Sequence, residues 1–143
     1  MGIAKSYTPG RFGFSEYSYY TVQRFEANGV SGKWIIKWGL TPKMPHDLPL
    51  YSNTSGLYFK SNKDNFGEII QMRRYGTDRR AAADFDWGHN HGEFPKGVVH
   101  VHDWRYNKNG KWSKSDKARF MTDDEIARYG AIIKQANPNV RFR

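Results

Sequence analysis

The sequence predicts an α+β domain: a twisted, mostly antiparallel sheet of about five to six strands, with one long C-terminal helix packed on it. Two observations carry this reading. Short segments with the two-residue apolar period of strands recur between turn-forming stretches, and one segment near the end of the chain has a helical period. The 143 residues suit a single domain spanning 1–143. A domain of this size buries roughly two-thirds of its unfolded surface and needs no staple.

Residues 1–18 are rich in Gly, Ser and Tyr without a clear period and read as an irregular lead-in. "YYTVQRFEANGVSGKWIIKWGL" reads as a strand pair. In it Trp34, Ile36, Trp38 and Leu40 alternate with Ile35, Lys37 and Gly39, which predicts one buried face. Residues 41–56 carry three prolines and several turn formers, hence a Pro-rich loop. "GLYFK", "GEIIQMRRYG" and "RAAADFDW" are the next strands, the last two joined by the turn "GTDR". "GVVHVHDW" is the last convincing strand, and 105–120 reads as a basic loop. "TDDEIARYGAIIKQAN" is the helix. Thr122 and Glu125 form a capping box, and Asp123 and Asp124 suit the positive end of the helix dipole. Ile126, Tyr129 and Ile133 make an apolar stripe, and Asn137 and Pro138 stop the helix. There are no internal repeats.

With 23 Lys and Arg against 14 Asp and Glu, the net charge is +9. Such a field attracts nucleic acid, an anionic membrane or an acidic protein. The absence of cysteine excludes disulfides and thiolate metal sites. No run approaches the roughly 18 apolar residues of a spanning helix, and no secretory segment opens the chain. No membrane span is therefore expected, and the absence of cysteine fits a reducing compartment. The opening "MGIAKS" does fit the N-myristoylation pattern.

The segment from 84 to 104, "DFDWGHNHGEFPKGVVHVHDW", holds four of the five histidines. Side chains alternate along a strand, so Asp84 and Asp86 share one face, and so do His100 and His102. If the two strands pair antiparallel with Asp86 opposite His100 and Asp84 opposite His102, Phe85 meets Val101 and Trp87 meets Val99. One face is then apolar and the other carries carboxylates and imidazoles. The loop "GHNHGEFPKG" would carry His89 and His91 over the edge of the polar face.

Such a face suits acid–base cleavage of RNA, because one imidazole takes the 2′-OH proton and another protonates the leaving oxygen. His100 and His102 are the first candidates for proton transfer and His91 or His89 the complementary acid. Asp84 and Asp86 would orient the imidazoles, and Arg74 would clamp the phosphate. Arg73, Arg79, Arg80 and Arg105 flank the segment and are candidates for nucleic-acid contact. "RYNKNGKWSKSDKARF" then has six basic residues and one acidic, with Tyr106 and Trp112 interleaved. Lys108, Lys111 and Lys114, with Trp112, are candidates for nucleic-acid contact. The same features also have structural readings: a polar histidine cluster, Trp87 and Trp104 in the core, a solvated arginine hairpin and a solvated lysine loop. On the acid–base reading no cofactor is needed. A divalent ion is the rival: Asp86, His89, His91, His100 and His102 could hold zinc, manganese or iron through nitrogen and oxygen, and that too would point to hydrolysis.

The order "RRYGTDRRAAADFDWGHNHG…HVHDW", over about 73–104, resembles the end region of C-terminal toxin domains of bacterial polymorphic toxins. That family's pattern has glycine where this chain has Arg79 and proline where it has Val99. The resemblance implies a ribonuclease-like toxin delivered into the cytoplasm of a rival bacterium, with a helix packed on an antiparallel sheet and an acidic immunity protein as partner. By position it implies functional roles for Arg74, Asp84, Asp86, His89, His91, His100 and His102. The expected function is a nuclease-type toxin, an RNase working without a metal. The alternatives are a non-catalytic nucleic-acid-binding or phage accessory protein, and a metal-dependent hydrolase.

Overall fold

A computed structural model describes residues 2–8, 15–37, 47–52 and 56–143, with 2–8 and 15–18 described by backbone alone. Eight strands follow one another across a single sheet in chain order. They are β1 (Gly2–Thr8), β2 (Ser15–Ala27), β3 (Val30–Lys37), β4 (Leu57–Asn62), β5 (Asn65–Tyr75), β6 (Ala81–Asp86), β7 (His100–Tyr106) and β8 (Trp112–Lys114). A two-residue strand, β9 (Arg119–Phe120), pairs with β7, and α1 (Asp123–Ala136) closes the chain. All pairings are antiparallel except β3 with β4. The α+β class and the C-terminal helix are as expected, but the sheet exceeds the expected five to six strands.

The additional strands lie where irregular chain was expected. Within the lead-in, β1 pairs along the whole of its length with the start of β2, so its backbone groups find partners there. Within the 105–120 segment, β7 runs on to Tyr106 and turns back into β8. The turn is built by Asn107, whose side-chain oxygen accepts from the backbone N–H groups of Asn109 and Lys111, and by Gly110 at φ 74°. Of the Pro-rich loop, 41–46 and 53–55 lie outside the described residues, as does Met1. The β2–β3 hairpin closes through Asn28 and Gly29, both at positive φ, as a two-residue turn matched to strand twist.

Both faces of the central strands are covered. On one, α1 docks Tyr129, Ile132 and Ile133 against Phe25, Phe59, Met72, Phe85 and Val101. The helix begins with the expected reciprocal capping box and stops at Asn137. On the other face Tyr19, Ile35, Leu48, Tyr58, Tyr75 and Ala81 form a second cluster. Trp34, Ile35 and Ile36 are consequently all buried, where alternation predicted a single buried face; Trp38 and Leu40 lie outside the described residues. The second face is covered by the loop 47–52, which returns along the β5–β6 hairpin. There the Ala81 N–H donates to Leu50 O at 2.8 Å and the Ser52 N–H to Arg79 O at 3.0 Å.

Arg73 ties that loop to the sheet. It is 1 % exposed, and its Nη1 donates to the carbonyls of Leu48 and Pro49. Its Nε and Nη2 reach the two oxygens of Asp84 at 2.7 and 2.9 Å, a bidentate pair with both partners out of water. The Tyr75 hydroxyl donates to Pro49 O beside it. Removing one partner of such a pair leaves an uncompensated buried charge. Arg73→Met is expected to cost about 3–5 kcal/mol in urea unfolding. Adding Asp84→Asn should recover part of the loss, because no net charge then stays buried. A single variant as stable as wild type would show that the pair is not a structural anchor.

Candidate active site

The functional face is built by register. Pairings across β4–β7 set two transverse rows on one side of the sheet: Lys60–Gln71–Asp86–His100 and Tyr58–Arg73–Asp84–His102. The expected pairing of β6 with β7 is present, with Asp86 opposite His100, Asp84 opposite His102 and Phe85 opposite Val101. Val99 and Trp87 are in the apolar cluster on the helix side. Neighbouring strands lie about 4.8 Å apart, so each row brings its side chains into contact range.

The loop after β6 delivers two more imidazoles. Gly88 sits so close to β5 that a Cβ there would lie 2.6 Å from the Cβ of Ile70, so only a hydrogen fits. The chain then turns tightly through Gly92 at φ 57°, with His91 and Phe94 bridged by reciprocal backbone hydrogen bonds of 2.8 and 2.9 Å. This lays the His91 ring 5.3 Å from His100, stacked, and 5.0 Å from His102, edge-on. His89 stands 5.2 Å from His100. Phe94 also stacks on His100, at 5.4 Å. Ring nitrogens of His91, His100 and His102 all lie within 4.8 Å of one another.

Hydrogen bonds to carbonyls fix two of these rings. Nδ1 of His102 is 2.8 Å from Ser115 O, and Nδ1 of His100 is 3.4 Å from Val98 O. A carbonyl oxygen only accepts, so each Nδ1 carries the hydrogen and each Nε2 is left as a bare lone pair. The Nε2 of His100 is buried with no partner among the described residues. Burial lowers the pKa of His100 to about 4 and also lowers those of His102 and His89. These imidazoles are therefore mainly neutral at pH 7, each with a lone pair able to accept a proton or a cation.

The two aspartates play different parts. Asp84, expected to orient an imidazole, is instead held by Arg73, by Trp104 Nε1 at 3.1 Å and by Gln71 Nε2 at 3.3 Å, with the Lys114 ammonium at 3.6 Å. Asp86 has no hydrogen bond or ion pair among the described residues and is 8 % exposed. Burial, with repulsion from Asp84, raises its pKa to about 7. It opens into a cleft of about 360 Å³ lined also by Asp47, Lys60, His89, His91, His102 and Lys114. Burial lowers the pKa of Lys60 in that cleft.

The arginines are placed differently from expectation. Arg74 pairs with Leu57 and Ala83, both in the helix-side core, so it faces away from the imidazoles and does not clamp a phosphate there. Arg73 is on the right face but spent on Asp84 and the loop carbonyls, and so is out of reach of nucleic acid. Arg79 occupies the β5–β6 turn at φ 68°, the conformation glycine favours and the position where the toxin pattern has one. Arg80 is held by Asp78 and the Tyr106 hydroxyl and lies 4.0 Å over Trp112, covering that ring; Trp112 Nε1 donates to Ala81 O. Trp87 is buried, and Arg73 lies 5.1 Å over the ring of Trp104, so neither indole is an open stacking platform. Lys114 reaches the cleft, whereas Arg105 and Lys108 line a neighbouring groove and Lys111 is exposed beside it. Lys60, Gln71 and the Ser115 carbonyl were not anticipated. Gln71 lies beyond an irregularity between Arg74 and Tyr75 that breaks the count back from the "GTDR" turn, and Lys60 and Ser115 arrive through pairings that the sequence does not signal.

An orphan carboxylate whose pKa is raised on folding opposes folding once it ionises. Below its unfolded pKa near 3.9 it costs nothing; the penalty grows as the pH rises through the window up to about 7 and is complete above it. With a chelator present, Asp86→Asn is therefore expected to stabilise the protein by about 2–4 kcal/mol near pH 8 and hardly at all near pH 4. Denaturant melts at the two pH values check this. An equal effect at both would place the Asp86 carboxyl in a solvated or paired state.

No family model matches the chain, and neither the curated proteins nor the solved structures compared with it contain a match.

Proposed function

We propose that the protein is a phosphodiester hydrolase, a nuclease, acting in the cleft over β4–β7. The observation that carries this reading is the shared opening of an unpartnered carboxylate, a histidine cluster and two lysine ammoniums into one polar cleft. Hydrolysis of a phosphodiester needs a nucleophile relieved of its proton, a neutralised phosphoryl oxygen and a proton for the leaving oxygen. Asp86 and His89, which line the cleft and stand outside the cluster of His91, His100 and His102, are assigned the proton transfers. A carboxyl with a pKa of about 7 can serve as acid or base near neutrality. Lys60 and Lys114 attract and hold the anionic group, while Arg105 and Lys108 in the neighbouring groove extend the positive field. The net charge of +9 suits a polyanionic substrate better than a neutral ester.

This differs from the sequence expectation in the division of labour. His100 and His102 were the first candidates for proton transfer, but both are buried and neutral, with Nδ1 held by the backbone. They suit an electrostatic or binding role better. Delivery as a toxin and an acidic immunity partner are implied by the resemblance alone. No helix among the described residues is long and apolar enough to cross a membrane.

His102→Ala and Asp86→Asn are each expected to lower cleavage of labelled RNA or DNA oligonucleotides by at least about 100-fold, with the cooperative unfolding transition kept. Saturable, salt-sensitive binding with all substrate recovered intact would overturn the hydrolase in favour of a non-catalytic nucleic-acid binder.

A further inference from the structure

We infer that His91, His100 and His102 form a mononuclear site for a divalent transition metal, with zinc as the ion that its chemistry fits best. The inference rests on the placement of the three rings and on a buried nitrogen that nothing else satisfies.

Three features point to a cation. Three ring nitrogens lie within 4.8 Å of one another, brought together from a strand pair position and from a loop that a glycine contact holds against β5. His100 and His102 donate Nδ1–H to main-chain carbonyls, the arrangement in which an imidazole is locked with Nε2 free to ligate. The Nε2 of His100 is shut off from water and has no donor to accept from among the described residues. An imidazole buried only for packing would leave that lone pair unsatisfied, at a cost of roughly 1–3 kcal/mol. A metal at this point satisfies it.

The donor set narrows the ion. Three neutral nitrogens without sulfur suit zinc, and disfavour calcium and magnesium, which take oxygen. Zinc–nitrogen bonds of about 2.0–2.1 Å need the three nitrogens roughly 3.3 Å apart, so the rings must close by about 1–1.5 Å. Three protein ligands leave a fourth position, which belongs in catalytic rather than closed structural zinc sites, and two of the three, His91 and His102, line the cleft with Asp86 and Lys114. Bound there, zinc would polarise a phosphoryl oxygen and lower the pKa of water. His89 stands beside the set and is not a ligand.

This assignment deepens the hydrolase reading and places its electrophile, yet the two fail separately. The test is zinc binding to the whole protein, stripped with chelator and then dialysed against Zn²⁺. Metal analysis should find one zinc per chain, and saturating Zn²⁺ should raise the melting temperature by about 5–10 °C. His91→Ala and His102→Ala should each weaken zinc binding by more than about 100-fold and abolish the shift, while His89→Ala keeps both. Loss of zinc in the His89→Ala variant, or retention in the His102→Ala variant, would contradict the ligand set. If wild type retains no zinc and its melting is unmoved by Zn²⁺, Co²⁺, Ni²⁺ or Mn²⁺, the metal site is wrong. Oligonucleotide cleavage that persists in chelator would then leave a metal-free acid–base nuclease. Tight zinc binding with no cleavage would sink the hydrolase and keep the site.

Discussion

The antiparallel register of β5, β6 and β7 is the constraint on which the rest depends. Because side chains alternate, a slip of one residue between any two of these strands would send every carboxylate and imidazole to the helix side and bring Phe85 and Val101 out. The helix core forbids that slip, since Phe85 and Val101 are 0 % exposed beneath α1. From the opposite face the Arg73–Asp84 pair forbids it too, because it exists only when those two residues are directly opposed. The functional face is thus specified by the core behind it and by an ion pair within it.

That arrangement divides two similar aspartates by environment. Asp84 is surrounded by donors and serves the fold. Asp86, two residues along the same strand, is buried without one, and His100 opposite it holds an unsatisfied nitrogen. Polar groups buried and left unpaired reduce stability, and natural proteins tolerate them chiefly where function requires them. Both orphans belong to one row of the sheet, Asp86 lining the cleft and His100 buried opposite it. Their coincidence argues for a site more strongly than the mere count of histidines does.

Much of this was legible in the sequence. The β6–β7 register followed from matching Phe85 and Trp87 to Val101 and Val99, and the helix from Thr122, Glu125 and its apolar stripe. Other features were hidden for physical reasons. The sequence of β1 and those of the short strands β8 and β9 have little apolar contrast to mark them. The burial of Trp34, Ile35 and Ile36 together depends on a loop covering the second face, which alternation does not register. Arg73 and Arg74 are adjacent and chemically identical. The irregularity between Arg74 and Tyr75 blurs the parity count that would have separated the buried one from its neighbour on the helix side. The grouping of His91 with His100 and His102 depends on a glycine turn whose direction the sequence leaves open.

The claim that the three imidazoles act as one unit is most directly tested by X-ray absorption at the zinc edge of the metal-loaded protein. Bound zinc should show a first shell of three nitrogens and one oxygen at about 2.0–2.1 Å, with the outer-shell scattering of imidazole rings. A shell of oxygens alone, or with a single imidazole, would contradict it.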